Sequence, residues 1–180
     1  MSVKLKIIIL LCFLTFILPV VPMARPQAIA VFPVDDLSDE INSFNTLVTR
    51  YLAYRMVAKG LNVIQEQEII DFMSSQRIRC LGYLDTQNIL QTKEKLGADL
   101  ILFGTIIIEK ESSSYGLILN MVRTTDAKTI WTASGGLSFA DTQHLLGLDE
   151  PTRVEELWPI LIDNLLANWP ADLNETLTKP

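Results

Sequence analysis

The sequence predicts a single α/β (α+β) domain built on a mixed sheet of about five strands, with helices packed on the sheet. Two short apolar β-rich runs, at 27–34 and 61–64, flank a helical pattern and thus form a parallel β-α-β unit. A longer apolar run follows at 100–108. Polar turns at 109–114 and 125–128 join it to two further strands, which predicts antiparallel hairpins. The predicted order is β-α-β-α-α-β-β-β-α.

The first strand covers 27–34 and is expected to end at Pro33 and the turn-forming pair Asp35-Asp36. Residues 39–59 are predicted to be helical, because apolar side chains recur at steps of three and four, and Gly60 ends the pattern. The expected core stripe comprises Phe44, Leu47, Tyr51, Tyr54 and Ala58, widened by Val48 and Leu52.

Two shorter helices follow the second strand. The first covers 66–76 and the second covers 86–96, with Asp85 or Thr86 as its N-cap and Gly97 at its end. In the first of these helices the residues expected to face the core are Ile69, Ile70, Phe72 and Met73.

The next three strands are predicted at 100–108, 115–124 and 129–133. The first is apolar on both alternating faces, which is typical of a strand covered on both sides and places it near the centre of the sheet. Residues 139–149 are polar and show no clear periodicity.

A last helix is predicted from its apolar face, and Thr152 with Glu155 has the spacing of a capping box. Pro159 lies inside this stretch, so either the helix kinks there or its regular part begins near Leu157. The face consists of Val154, Leu157, Trp158, Leu161, Ile162, Leu165 and Trp169.

The first 24 residues resemble a secretory signal peptide. Lys4 and Lys6 form a basic region, and the apolar run Ile7–Val21 follows it. Pro19 and Pro22 interrupt the run before the roughly 20 residues that a membrane-spanning helix requires. We expect cleavage after residue 24, with a retained amino-terminal anchor as the alternative. The protein would then be exported to the periplasm or envelope of a Gram-negative-type bacterium, as one domain at 25–170 followed by a flexible tail at 171–180.

The cysteines exclude an internal disulfide in the exported chain. Cys12 lies inside the apolar run and follows Leu11, whereas a lipid-modified cysteine follows a small residue. Cys80 would then be the single cysteine left, and its simplest role is that of a small buried hydrophobic residue.

The charge of the exported chain is unfavourable for nucleic acid. Loss of Lys4 and Lys6 would reduce the 15 basic residues to 13, against 21 acidic residues. Phosphate backbones and anionic lipid surfaces repel such a domain. We therefore expect no nucleic-acid partner and no stable membrane span after cleavage.

Four segments carry a family resemblance: 28–34 (AIAVFPV), 60–73 (GLNVIQEQEIIDFM), 96–105 (LGADLILFGT) and 122–131 (VRTTDAKTIW). In this order they resemble the envelope superfamily that includes the curli secretion-channel subunit CsgG, the amino-terminal domain of TolB and the penicillin-binding-protein activator LpoB. The resemblance covers roughly residues 28 to 169. It implies a domain similar in shape to anticodon-binding domains, used for protein contacts at the envelope and not for catalysis.

The chain departs from each named member of this superfamily. TolB carries a propeller after the domain, and few residues follow it here. The secretion channel has long membrane-crossing hairpins, but the strands flanking 109–114 and 125–128 are of ordinary length. The lipid-anchored activator has a modified cysteine and a flexible linker. The resemblance thus implies a stand-alone relative.

The sequence offers little material for a catalytic or metal site. His144 is the single histidine, and it lies in the polar stretch without a neighbouring nucleophile motif. In the exported chain, one cysteine and one histidine do not make a structural zinc site. Asp35, Asp36 and Asp39 could seat a divalent ion or a basic side chain of a partner, but their simpler role is to turn the chain and cap the first helix. We expect no catalytic residue, no metal and no cofactor.

Partner contacts are expected in loops and at helix ends, since loops on a rigid scaffold carry most binding functions. Tyr51 and Tyr54 fit the core stripe, and contact with a partner is their alternative role. Trp158 is expected in the core, and Trp169 either packs there or contacts a neighbouring subunit. The candidate contacts are Asp35, Asp36, Glu109, Lys110, Glu111 and Trp169.

These observations favour a periplasmic protein-interaction domain that assists envelope assembly, transport or regulation. One alternative is a subunit of a homo-oligomeric ring, and another is a small hydrolase that uses the acidic residues near Asp35.

Overall fold

The computed structural model describes residues 27–37, 44–79, 83–109, 113–142 and 151–170. The signal segment, Asp39, Cys12, Cys80, His144 and the tail at 171–180 lie outside these ranges.

Six strands form one mixed sheet, and the predicted α/β class is confirmed. The spatial order is β3-β1-β4-β5-β6, with β2 paired to β4 beside β1. Strands β1 to β4 pair in parallel, whereas β4, β5 and β6 are antiparallel. The strands are β1 Ala28–Val31, β2 Asp35–Asp36, β3 Asn62–Val63, β4 Leu100–Glu109, β5 Ser114–Arg123 and β6 Thr129–Ser138.

Four α-helices are described, and each corresponds to a predicted helix. They are α1 Asn45–Ala58, α2 Glu66–Gln76, α3 Thr86–Leu96 and α4 Val154–Leu166, with a short 3-10 helix at Ala140–Thr142. The predicted ends of two helices are confirmed by Gly60 and Gly97, which adopt φ angles of 82° and 67° that suit glycine. Asp85 caps α3 by accepting a hydrogen bond of 2.7 Å from the amide of Asn88.

The helices cover the sheet on two sides. On one side α1 and α4 pack against the sheet around the fully buried Trp158, Leu52 and Leu119. On the other side α2 and α3 cover a second cluster that includes Phe32, Phe72 and Ile101. Strand β4 contributes to both clusters, which confirms its predicted place between two layers.

Several predictions about the elements are wrong in detail. Asp35 and Asp36 do not cap α1, whose N-cap residue is Phe44; they form β2, paired with Thr105 and Ile106. Strand β6 continues five residues beyond its predicted end at Ala133, because its pairing with β5 is maintained as far as Ser138.

The start of α4 also differs from the prediction. The helix begins at Val154 and contains Pro159, so a regular part that starts near Leu157 is wrong. The capping carboxylate belongs to Glu156 and not to Glu155: it accepts bonds from the amides of Thr152, at 2.8 Å, and Arg153, at 3.3 Å. These bonds lower the pKa of Glu156.

The buried face of α1 is made of different residues from those in the predicted core stripe. Its buried side chains are Val48, Thr49, Leu52 and Met56. Tyr54 is 63% exposed and Leu47 is 36% exposed, so their assignment to the core is wrong. The hydroxyl of Thr49 is buried because it accepts a 3.0 Å hydrogen bond from the amide of Val34. In α2 the predicted core residue Ile70 is likewise exposed.

Candidate functional site

Helices α1 and α4 lie side by side, and polar contacts fix their relative position. The phenol of Tyr51 donates a 3.3 Å hydrogen bond to the Asp163 carboxylate, and Arg55 forms an ion pair of 2.8 Å with the same group. Further along, the Lys59 ammonium lies 3.5 Å from the Leu166 carbonyl oxygen. The contacts follow the same order along both helices, so the two helices run in the same direction. These polar contacts fix the surface that the helices form together.

A groove opens on the outer side of these helices, near their amino-terminal halves. Its volume is about 710 Å³. The rings of Tyr51 and Tyr54 lie 6.0 Å apart at an angle of 40°. The groove is lined by Thr46, Leu47, Arg50, Tyr51, Tyr54, Glu155 and Pro159. Its centre is therefore apolar and aromatic, with one basic and one acidic side chain among the lining residues.

Two further apolar side chains of these helices are exposed. Val57, one turn after Tyr54 in α1, is 58% exposed, and Ile160 in α4 is 38% exposed. Tyr54 and Val57 are three residues apart and therefore share one face of α1. Exposed apolar side chains that lie together on one surface mark a contact site more often than scattered ones do.

The pKa values of two groups reflect the packing of the helices. Partial burial raises the pKa of Tyr51, and the negative charge of Asp163 adds to the effect. Burial lowers the pKa of Lys59, with a further contribution from the positive charge of Arg55. Tyr51 therefore stays a neutral hydrogen-bond donor at physiological pH.

Trp169 lies beyond the carboxyl end of α4, where it packs inside the chain. Its ring is 5.1 Å from that of Trp131, and the Lys59 ammonium lies 5.3 Å from its centre. The Trp131 indole donates a 3.2 Å hydrogen bond to the Asn168 carbonyl oxygen. Trp169 is half-buried, so part of its surface is also open to a neighbour.

The other predicted contact residues lie elsewhere. Asp35 and Asp36 are half-buried in β2, and Glu109 is exposed at the end of β4. Lys110 and Glu111 lie outside the described residues. None of the three described residues, Asp35, Asp36 and Glu109, lines the groove.

The Gly97-Ala98-Asp99 motif has a structural role. The Asp99 carboxylate accepts a 3.0 Å hydrogen bond from the amide of Ala28 and contacts the Lys93 ammonium. The Thr124 hydroxyl donates to the carbonyl oxygens of Ala98 and Asp99, at 2.7 and 2.9 Å. These bonds join the starts of β1 and β4 to the end of β5. A polar cleft of about 570 Å³ lies beside Asp99.

Within the described ranges, no group of three or more His, Cys, Asp and Glu side chains is arranged to hold a metal ion. No helix in that part of the chain is long and apolar enough to cross a membrane.

Three solved structures have a similar fold. The LpoB C-terminal domain from Salmonella enterica has a TM-score of 0.52 at 12% identity, over 64% of this chain and 87% of that one. The chain has an LpoB-like fold. The predicted resemblance is thus confirmed at the level of the fold.

The other two structures extend this comparison. Lipoprotein GNA1162 from Neisseria meningitidis has a TM-score of 0.54 at 14% identity, over 80% of this chain and 99% of that one. The PelC dodecamer from Paraburkholderia phytofirmans has a TM-score of 0.51 at 12% identity, over 81% and 88%. No family model matches this chain, and no curated protein sequence matches it. At these identities the likeness establishes the fold alone.

The groove brings together residues that are far apart in the sequence. Tyr51 of α1 and Pro159 of α4 both line it, although more than a hundred positions of the chain separate them. One signal was present: α1 has more apolar residues than one buried face needs, since Leu47, Tyr54 and Val57 come in addition to its buried side chains.

Proposed function

We propose that this LpoB-like chain is a non-catalytic protein-interaction domain of the bacterial envelope, which binds another envelope protein through the groove between α1 and α4. The proposal rests on the exposure of Tyr54, 63% of whose surface is open beside Tyr51 and Leu47. Tyrosine in a shallow, mostly apolar groove is typical of the residues that dominate protein interfaces.

The groove is suited to binding because its walls are already fixed. Tyr51 is held by Asp163, so this wall of the site is ordered before a partner arrives. Ordering in advance reduces the entropy lost on association. Arg50 and Glu155 provide charges of both signs for polar contacts around an apolar centre.

The place of action is proposed from the first 24 residues, whose basic region and apolar run have the order of an export signal. The fold supports this location, since the similar GNA1162 is a lipoprotein. The partner is then a protein of the periplasm or of a membrane facing it. A small binding domain of this kind would assist assembly, transport or regulation in the envelope.

Co-purification of matched variants tests this function. The tagged chain is isolated from envelope extracts as wild type, as Tyr54→Ser and as Tyr83→Ser. Tyr83 is 71% exposed but does not line the groove, so its variant is the control. We expect one reproducible envelope protein to be lost with Tyr54→Ser and retained with Tyr83→Ser. Equal recovery with both variants would contradict the assignment of the groove.

The second candidate function is that of a subunit in a homo-oligomeric ring. The observation that favours it is the dodecameric assembly of PelC, whose fold is similar. A ring predicts a large mass in solution that does not depend on protein concentration. A monomer across the accessible concentrations would contradict it.

A further inference from the structure

Strand β6 forms one edge of the sheet and is long and uncharged. It has ten residues, Thr129–Ser138, and includes neither a charged residue nor a proline. Natural proteins commonly protect such edges with charges, prolines or short strands. The opposite edge follows this rule, because β3 has two residues. The β6 edge is therefore a strand template that the described part of the chain leaves accessible.

The hydrogen bonds of the sheet define which backbone groups of β6 point outward. The carbonyl oxygens of Leu102 and Ile106 accept bonds from the β1 and β2 side, at 2.8 Å from Phe32 and 3.3 Å from Leu37. The backbone amides and carbonyls of even-numbered residues of β4 thus point away from β5. Hydrogen-bonded pairs alternate along antiparallel strands, so odd-numbered residues of β4 bond to even-numbered residues of β5. The odd-numbered residues of β5 then bond to odd-numbered residues of β6, and the backbone amides and carbonyls of the even-numbered residues of β6 point outward.

The end of β6 agrees with this alternation. The amide of Ser138 donates a 2.8 Å bond to the Asp141 carboxylate, which lies outside the β5 ladder. The remaining outward residues are Thr132, Ser134 and Gly136, all exposed. Within the described part of the chain, their backbone amides and carbonyls make no hydrogen bond. Three adjacent donor and acceptor pairs are therefore available to an extended strand.

We propose that β6 pairs with β6 of a second copy of this chain, antiparallel, across a twofold axis at Ser134. In this register Thr132 lies opposite Gly136 of the other copy, and the two Ser134 residues lie opposite each other. All three outward residues of each copy are then bonded. A shift by two residues in one direction places Gly136 opposite Ile130, where the pairing of β5 with β6 is irregular. A shift in the other direction places Thr132 opposite Ser138, whose amide is already bonded to Asp141.

The side chains also favour a second copy as the occupant. On the face toward α4, this register places Trp131 opposite Leu137 of the other copy and Ala133 opposite Gly135. Two large side chains therefore face each other, and two small residues face each other. The chain carries a net charge of −6, so two copies repel each other, and an uncharged contact surface avoids adding close pairs of like charges to that repulsion. The β6 edge provides such a surface.

The same geometry distinguishes this dimer from a ring. A ring built by strand pairing would join β6 of one copy to β3 at the opposite edge of the next copy. Strand β3 has two residues and therefore offers few backbone hydrogen bonds. A twofold interface uses the same edge from both copies and closes at two subunits.

Site-specific cysteines test the register in the full chain, with Cys12 and Cys80 replaced by serine in every variant. A hydrogen-bonded antiparallel pair has Cα atoms about 5.5 Å apart, within reach of a disulfide. Ser134→Cys should therefore give a covalent dimer on mild oxidation. Thr132→Cys, equally exposed and on the same edge, is the control, since its two copies would be about 14 Å apart at the spacing of strand residues.

Sedimentation of a backbone variant provides the second measurement. Ser134→Pro removes one outward amide from each copy and leaves the ladder with β5 intact, so we expect dimerisation to weaken by about tenfold or more. Ser134→Ala retains the amide and should dimerise like the wild type.

Three results would overturn the proposal. The first is equal crosslinking of the two cysteine variants. The second is the absence of crosslinks from a chain that also sediments as a monomer. The third is an in-cell disulfide between Ser134→Cys and a different protein, without a homodimer, because the edge would then bind a foreign strand.

Discussion

Tyr51 on α1 donates a hydrogen bond to Asp163 on α4, with 3.3 Å between the phenol oxygen and Oδ2. The contact joins residues 112 positions apart. It positions one aromatic wall of the groove, and Tyr54 packs against that wall. The binding surface therefore depends on a contact between helices as well as on the composition of α1.

Asp163→Ala should weaken partner binding more than it lowers the free energy of unfolding. The substitution removes the acceptor of the Tyr51 hydroxyl and the ion pair with Arg55, which is partly exposed and is expected to contribute about 0.5–1 kcal/mol to the free energy of unfolding. Urea denaturation measures that cost, and recovery of the co-purified partner measures binding. Glu94→Ala is the control, because Glu94 is exposed on α3 and does not line the groove. An unchanged recovery with Asp163→Ala would show that the helix contact does not position the site.

Gly104→Ala should destabilise the centre of the sheet. A Cβ at this position would lie 2.3 Å from the Ile118 carbonyl oxygen, so the strands must move apart. Overpacking of this kind costs about 1–3 kcal/mol. Gly116→Ala on the neighbouring strand is the matched control, since its Cβ would meet atoms at 3.5 Å or more. Similar denaturation midpoints for the two variants would contradict the close approach at Gly104.

Asp99→Ala should cost more than Lys93→Ala. Loss of the Asp99 carboxylate leaves the amide of Ala28 without its acceptor, at a cost of about 1–3 kcal/mol. Loss of Lys93 removes an ion pair in which both side chains are more than a third exposed, worth less than about 1 kcal/mol. Chemical denaturation distinguishes the two. Partner recovery should be normal for both variants under conditions where they remain folded.

Acid should destabilise the fold partly through Asp126. The Arg123 guanidinium donates bonds of 2.9 and 2.7 Å to this carboxylate and lowers its pKa from 3.8 to about 2. A depressed pKa in the folded state stabilises the protein above the unfolded value, and this contribution is lost as the pH falls from about 3.8 through about 2. In Asp126→Asn the denaturation midpoint should vary less with pH over this range. An identical pH profile would contradict the role of this ion pair.

Local signals in the sequence were sufficient to predict most of the elements. Asp85 and Gly97 specify the two ends of α3 through a side-chain cap and a positive φ angle, both of which depend on near neighbours. The order of the helices and longer strands was predicted for the same reason. Strand β2 was not, because two aspartates form a strand only when β4 is present to pair with them.

The candidate site was harder to predict because burial on α1 depends on tertiary contacts. Thr49 is buried since it bonds to Val34, and a polar residue of this kind is not recognised as part of a core stripe. Tyr54, by contrast, has the spacing of a core residue and is exposed. Whether such a side chain is buried depends on where α4 packs.

Photocrosslinking at Tyr54 in living cells is the most direct test of the proposed function. A photoreactive amino acid replaces Tyr54 in one strain and Tyr83, exposed elsewhere on the chain, in another. We expect a crosslinked product with one envelope protein at position 54 and no such product at position 83. The same products at both positions, or a product at position 54 that contains only copies of this chain, would contradict binding of a partner through the groove.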